Sequence, residues 1–161
     1  MTRNRAALPI DDARIVWQTA ARDGRARAPV GLLLLAGLRP REVCAARWDG
    51  LLLRVAGRRV PVGRVCTAAL DHVAADRKAM TGPLLPHLTA VPLVQLARAT
   101  CRQAGVDAGA PDLRHCAIRA AFDAKLPAEW ICGYFGTAPP RGPLPTGWDD
   151  TVATVLEDAF T

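Results

Sequence analysis

At 161 residues the chain is sized for one domain, and a domain of that size buries roughly 70% of the surface its unfolded chain exposes. Half of the residues are hydrophobic and 22% are charged, which excludes a disordered polyelectrolyte. The longest apolar run, Val30 to Leu38, is too short to span a bilayer, and no secretory signal opens the sequence. A soluble protein without membrane contact, in the cytoplasm, is therefore expected. Basic residues outnumber acidic ones 21 to 15, for a net charge of +6, and Lys78 and Lys125 are the only lysines. Arginine presents a planar fork that grips phosphate in a bidentate way, so the bias suits nucleic acid. A GC-rich genome would give the same excess of Arg, Ala and Gly. The cysteines Cys44, Cys66, Cys101, Cys116 and Cys132 are odd in number and widely spaced. They form neither a disulfide framework nor a zinc-ligand pattern, so no metal or cofactor is expected.

Taken in order, Ile10, Ala13, Val16, Trp17, Ala20 and Ala21 have helical spacing over residues 10–22, with Gly24 as a stop. Pro29 can open a second helix through the leucine run, which Gly37 ends. A third short helix is expected from about Arg41 to Trp48. Leu51, Leu53 and Val55 then alternate with their neighbours, Ala56 and Gly57 can turn, and Val60 and Val62 alternate again, which reads as a small hairpin. Helical spacing returns from Arg64 to about Asp76, before a Pro/Gly loop over 81–86. Pro92 is tolerable in the first turn of a helix that continues to about Gln103. Asp112 is a plausible N-cap for a helix to about Ala124, and Pro127 begins another ending near Gly136. Pro139, Pro140, Pro143 and Pro145 exclude regular helix over 138–147, and an amphipathic helix closes the chain over 148–160. The class is mainly α with a small antiparallel β hairpin, in a single unit over 1–161.

Three blocks, in order, are similar to the catalytic domain of tyrosine recombinases, the phage-integrase family. The first is Leu32 to Val43, containing Gly37-Leu38-Arg39-Pro40-Arg41-Glu42, followed by Ala46-Arg47-Trp48-Asp49; it resembles the family's GLRxxE block. The second is the hairpin remnant Gly57-Arg58-Arg59-Val60-Pro61-Val62. The third joins Ala104-Gly105-Val106 and Pro111-Asp112-Leu113-Arg114-His115-Cys116 to Ile131-Cys132-Gly133-Tyr134-Phe135-Gly136-Thr137, matching the family's AGI, HDLRHT and IxxxLGH patterns. The ordered combination is more specific than GLRxxE alone, and it covers most of the chain from about Leu8 to Gly136. The resemblance implies the DNA breaking-rejoining fold and double-stranded DNA as partner. It also implies an absent N-terminal core-binding domain.

In active members two arginines hold the scissile phosphate and neutralise the charge that builds up during in-line attack. Arg39 and Arg114 match those positions, and Glu42 is read as an orienting or helix-internal acid. The hairpin lysine, which protonates the departing oxygen, has no counterpart. Arg58 and Arg59 stand there instead, and arginine holds its proton too tightly to be a good general acid. The first histidine of the DLRH block becomes Pro111; His115 matches the second, as a phosphate contact or a hydrogen-bonded helix residue. The LGH histidine becomes Thr137. The position expected for the nucleophilic tyrosine falls near Thr146, an unactivated hydroxyl. Tyr134 is the only tyrosine, and it falls where the family has a core apolar residue.

These residues predict a DNA-binding, integrase-like protein that has lost strand cleavage and keeps an accessory or regulatory role. Two alternatives stand beside it. One is a scaffold repurposed to bind a protein or small ligand in the former DNA cleft; the other is an active recombinase whose nucleophile comes from Tyr134 or a partner chain. Residues 148–160 are candidates for docking a second copy or a partner recombinase, or for folding back on their own domain.

Overall fold

The computed structural model describes residues 6–75 and 82–161. Eight helices and three short strands are found among them: α1 Ile10–Ala21, α2 Arg27–Leu34, α3 Pro40–Ala45, β1 Arg47–Trp48, β2 Leu53–Val55, β3 Arg58–Val60, α4 Arg64–Ala75, α5 Ala90–Gln103, α6 Ala110–Asp123, α7 Ala128–Phe135 and α8 Trp148–Phe160. The expected class, mainly α with a small antiparallel sheet, is the observed one.

The leucine run explains the centre of the molecule. A helix that is apolar all round has no face to offer water, so it must be enclosed. Residues Ala28 to Leu34 of α2 are all buried, and the helix is packed by α1, α4, α5 and α6. Gly31 lies against the Trp17 indole, where an added Cβ would stand 3.3 Å from the ring. At the end of α2, Gly37 takes a left-handed conformation (φ +62°) that turns the chain into α3.

The third helix is shorter than its predicted span. It ends at Ala45, Ala46 is extended, and Arg47 and Trp48 form β1 instead. Tertiary bonds decide this. The Ala46 carbonyl accepts from the Leu84 amide at 2.8 Å, and the Trp48 indole N–H donates to Asp71 of α4 at 2.9 Å. The predicted hairpin is therefore the outer part of a three-stranded antiparallel sheet in the order β1-β2-β3. Its β2–β3 turn uses Ala56 (φ +48°) and Gly57 (φ +76°), both left-handed, as a tight hairpin turn requires. Leu51 lies outside the strands and is 81% exposed, and Val62 follows β3 rather than extending it.

Two further boundaries differ. Pro29 occupies the first turn of α2 rather than its opening residue. Asp112 lies inside the first turn of α6, where its carboxylate accepts the Gly109 amide at 2.8 Å and closes the helix start from within. Asp76 and Thr81, the predicted end of α4 and start of the following loop, lie outside the described residues.

The C-terminal helix settles on its own chain. Val152, Ala153, Leu156 and Phe160 are buried against α1, α4, α6 and α7. Glu157 accepts the Val65 amide at 2.9 Å, filling the space beside Gly63 and satisfying a donor at the start of α4. Arg14 donates to the Ala159 carbonyl at 2.7 Å. Residues 148–160 therefore fold back on their own domain, with their apolar face buried internally.

Candidate phosphate site

Arg39 sits at the entrance to α3, at the point where Gly37 and Pro40 turn the chain. Its backbone amide donates to Glu42 Oε2 at 2.9 Å, and its guanidinium Nη1 donates to Oε1 at 2.9 Å. Glu42 therefore caps the helix start and holds the arginine side chain with one carboxylate. From β3, Arg58 lays its guanidinium across the same group, with Nη1 to Oε1 at 2.9 Å and Nη2 to Oε2 at 3.3 Å. Gly136 makes this possible: a Cβ there would stand 2.7 Å from the Arg58 guanidinium carbon.

Arg114 approaches from α6. It is only 8% exposed and donates to two backbone carbonyls, those of Gly37 and Phe135. The first ends the helix before the Arg39 corner, and the second ends α7, so one side chain ties both corners together. The guanidinium also rests 5.8 Å from the centre of the Phe135 ring.

The electrostatics make the grouping explicit. Burial pushes Arg114 down to about 10, the Arg39 and Arg58 charges push the same way, and Glu42 opposes them. It keeps its proton near neutrality. Burial by itself would raise the Glu42 carboxyl. The Arg58 hydrogen bond, the Arg39 amide and the two positive charges outweigh it, and Glu42 lies below the usual carboxylate range. Arg39 and Arg58 thus share the Glu42 carboxylate, and Arg114 lies in the field of all three groups. Arg58 Nε is buried without a hydrogen-bond partner among the described residues.

The other sequence candidates lie apart from this cluster. His115 is exposed and lines a separate cavity of about 290 Å³ with Leu8, Asp112, Cys116 and Arg119. One step along a helix rotates a side chain to a different face. Arg59 points to the other side of the sheet and pairs with Asp149 of α8 at 3.3 Å. Pro111 is exposed in the first turn of α6, and Thr146 is exposed just before α8. Thr137 is exposed and closes the end of α7, its amide donating to the Cys132 carbonyl at 3.0 Å.

Tyr134 faces inward. It is 2% exposed, its hydroxyl donates to the Pro61 carbonyl at 2.7 Å, and burial raises its pKa well above the ordinary phenol value. Sequence reasoning passed over Phe135 as a site residue. Its carbonyl receives Arg114, and its ring occupies the space that a Cβ on Gly37 would need. Only the spacing of the glycine-leucine-arginine corner hinted at such a contact. A larger cavity of about 620 Å³ is lined by His72, Leu84, His87 and Leu96, among others, and by none of these arginines.

The fold is that of known recombinases. It superimposes on the crystal structure of XerA recombinase with a TM-score of 0.74, covering 98% of this chain and 63% of that one, at 16% identity. The integrase from mycobacterium phage Brujita is similar with a TM-score of 0.68, over 100% of this chain and 60% of that one, again at 16% identity. The chain therefore has a tyrosine recombinase/integrase-like fold and spans less than two thirds of the length of either protein. No protein-family model matches the sequence. No curated protein matches it either.

Proposed function

We propose that this is a DNA-binding, integrase-like protein that does not cleave and rejoin DNA and acts in an accessory or regulatory role. The observation that carries the reading is that Arg39 and Arg58 both hold Glu42 within the field of the buried Arg114, which leaves the cluster with more positive than negative charge. Arg39 is the most exposed of the three, so its guanidinium is the one an incoming anion reaches first. A phosphate entering there gains charge-assisted hydrogen bonds from prepositioned groups.

Cleavage would need a nucleophile and a general acid at the same place. Tyr134 is sealed and its hydroxyl is already donating, while the hairpin supplies arginine where a proton donor is needed. In the twin reading of an active recombinase, the missing tyrosine would have to come from another chain.

Fluorescence anisotropy with a labelled duplex at about 50 and about 200 mM salt tests the binding, because neutralising phosphates releases counterions and makes affinity fall steeply with salt. Arg39→Gln weakens the complex and flattens that dependence. Absence of binding at the lower salt overturns the proposal. Incubation with nicked duplexes followed by denaturing electrophoresis tests the second half; a covalent adduct would show that cleavage is retained.

A further inference from the structure

The outer face of the sheet carries a feature that the phosphate cluster does not use. In the register of the sheet, Arg47 of β1 lies directly opposite Arg54 of β2, and Arg54 lies directly opposite Arg59 of β3. Directly opposed residues share a face, and all three are exposed, while Trp48, Leu53, Val55 and Val60 fill the inner side. Like charges facing each other across strands are destabilising unless something neutralises them.

The acids within reach do this incompletely. Asp149 pairs with Arg59 at 3.3 Å. Asp49 lies in the field of Arg54, but its Oδ1 is held by the Leu51 and Leu52 amides at 2.9 and 2.7 Å. Neither the Arg47 nor the Arg54 guanidinium has a hydrogen-bonded or ion-paired partner among the described residues.

We infer that the row Arg47–Arg54–Arg59 is a second phosphate-contacting track, which lies against the backbone of double-stranded DNA outside the Arg39/Arg58/Arg114 cluster. This rests on the DNA-binding reading above and deepens it. Two strand spacings place the outer members of the row roughly 10 Å apart, close to the axial rise of about three nucleotides at 3.4 Å each along one strand. Strand β3 joins the two regions, since Arg58 turns inward to Glu42 and the next residue, Arg59, turns outward. Phosphate contacts hold backbone rather than base edges, so the track adds affinity and orientation without sequence preference.

The test is a salt titration of duplex affinity for the unaltered protein and for Arg47→Gln/Arg54→Gln, with circular dichroism to show that the fold is kept. Removing two phosphate contacts lowers the slope of log affinity against log salt by about 1.8, so the loss of affinity between about 50 and 200 mM becomes roughly tenfold smaller. Arg47→Lys/Arg54→Lys restores the slope, because charge is what the track supplies. A double Gln variant with unchanged slope overturns the inference while leaving the DNA-binding reading in place. No duplex binding by the unaltered protein at either salt removes both.

Discussion

On the inner side of the small sheet, Arg58 is folded down on Glu42, and Arg114 is enclosed with its donors committed to two carbonyls. On the outer side, Arg47 and Arg54 stand opposite one another in solvent. One residue type is thus placed under two physical regimes a strand's thickness apart. Inside, a guanidinium must be satisfied or it destabilises the fold, so the buried arginines are structural whatever anion they bind. Outside, water satisfies the donors and repulsion remains, so the exposed arginines matter mainly to a polyanion.

The comparison breaks most decisively at Arg114. Arg114→Ala removes two hydrogen bonds from a charged donor and leaves two buried carbonyls unpaired, for a loss of about 3 kcal/mol measurable by urea denaturation. A loss no larger than that of an exposed arginine would show that the inner cluster does not support the fold.

Glu42→Gln comes next, with an expected loss of about 2 kcal/mol, since it leaves Arg58 half-buried without its counter-charge. The same change makes the cluster more positive, so duplex affinity should rise as stability falls. The pH dependence has a definite sign. The Glu42 carboxyl is lowered in the folded protein, so its contribution is present above its unfolded value and is lost as pH falls through the lowered one. Acid denaturation curves of the unaltered protein and of Glu42→Gln should therefore converge at low pH. Curves that stay parallel would remove Glu42 from the account.

The smallest effect is expected at Arg59, whose pair with Asp149 is half exposed on the arginine side. Arg59→Gln should change stability by less than about 1 kcal/mol, as read by thermal melting, and weaken duplex binding less than the Arg47/Arg54 pair does. A large loss would mean that Arg59 mainly fastens α8.

Much of the fold was legible because it depends on short-range pattern. The leucine run, the 3.6-residue spacing of α1, α4 and α8, and the alternation around Ala56-Gly57 each declare an element without knowledge of its neighbours. The span from Arg41 to Trp48 misled for the complementary reason. The expected helix ran past Ala45, but Ala46 accepts from the Leu84 amide and Trp48 donates to Asp71, and the chain is extended where these bonds form. At the site, the arginines stood in recognisable motifs, whereas Phe135 and Gly136 act through contacts with residues far away in sequence.

The amino-acid sequence by itself determined the helical class, the hairpin, the arginine corner at Gly37 to Glu42 and the absence of a tyrosine at the expected nucleophile position. Tertiary structure alone decided that Arg58 joins Arg39 on one carboxylate while Arg59 and His115 turn away, and that α8 closes over its own domain. The reason is directional. Periodicity reports which residues seek burial, but the partner of a guanidinium is chosen by three-dimensional approach between elements that are distant along the chain.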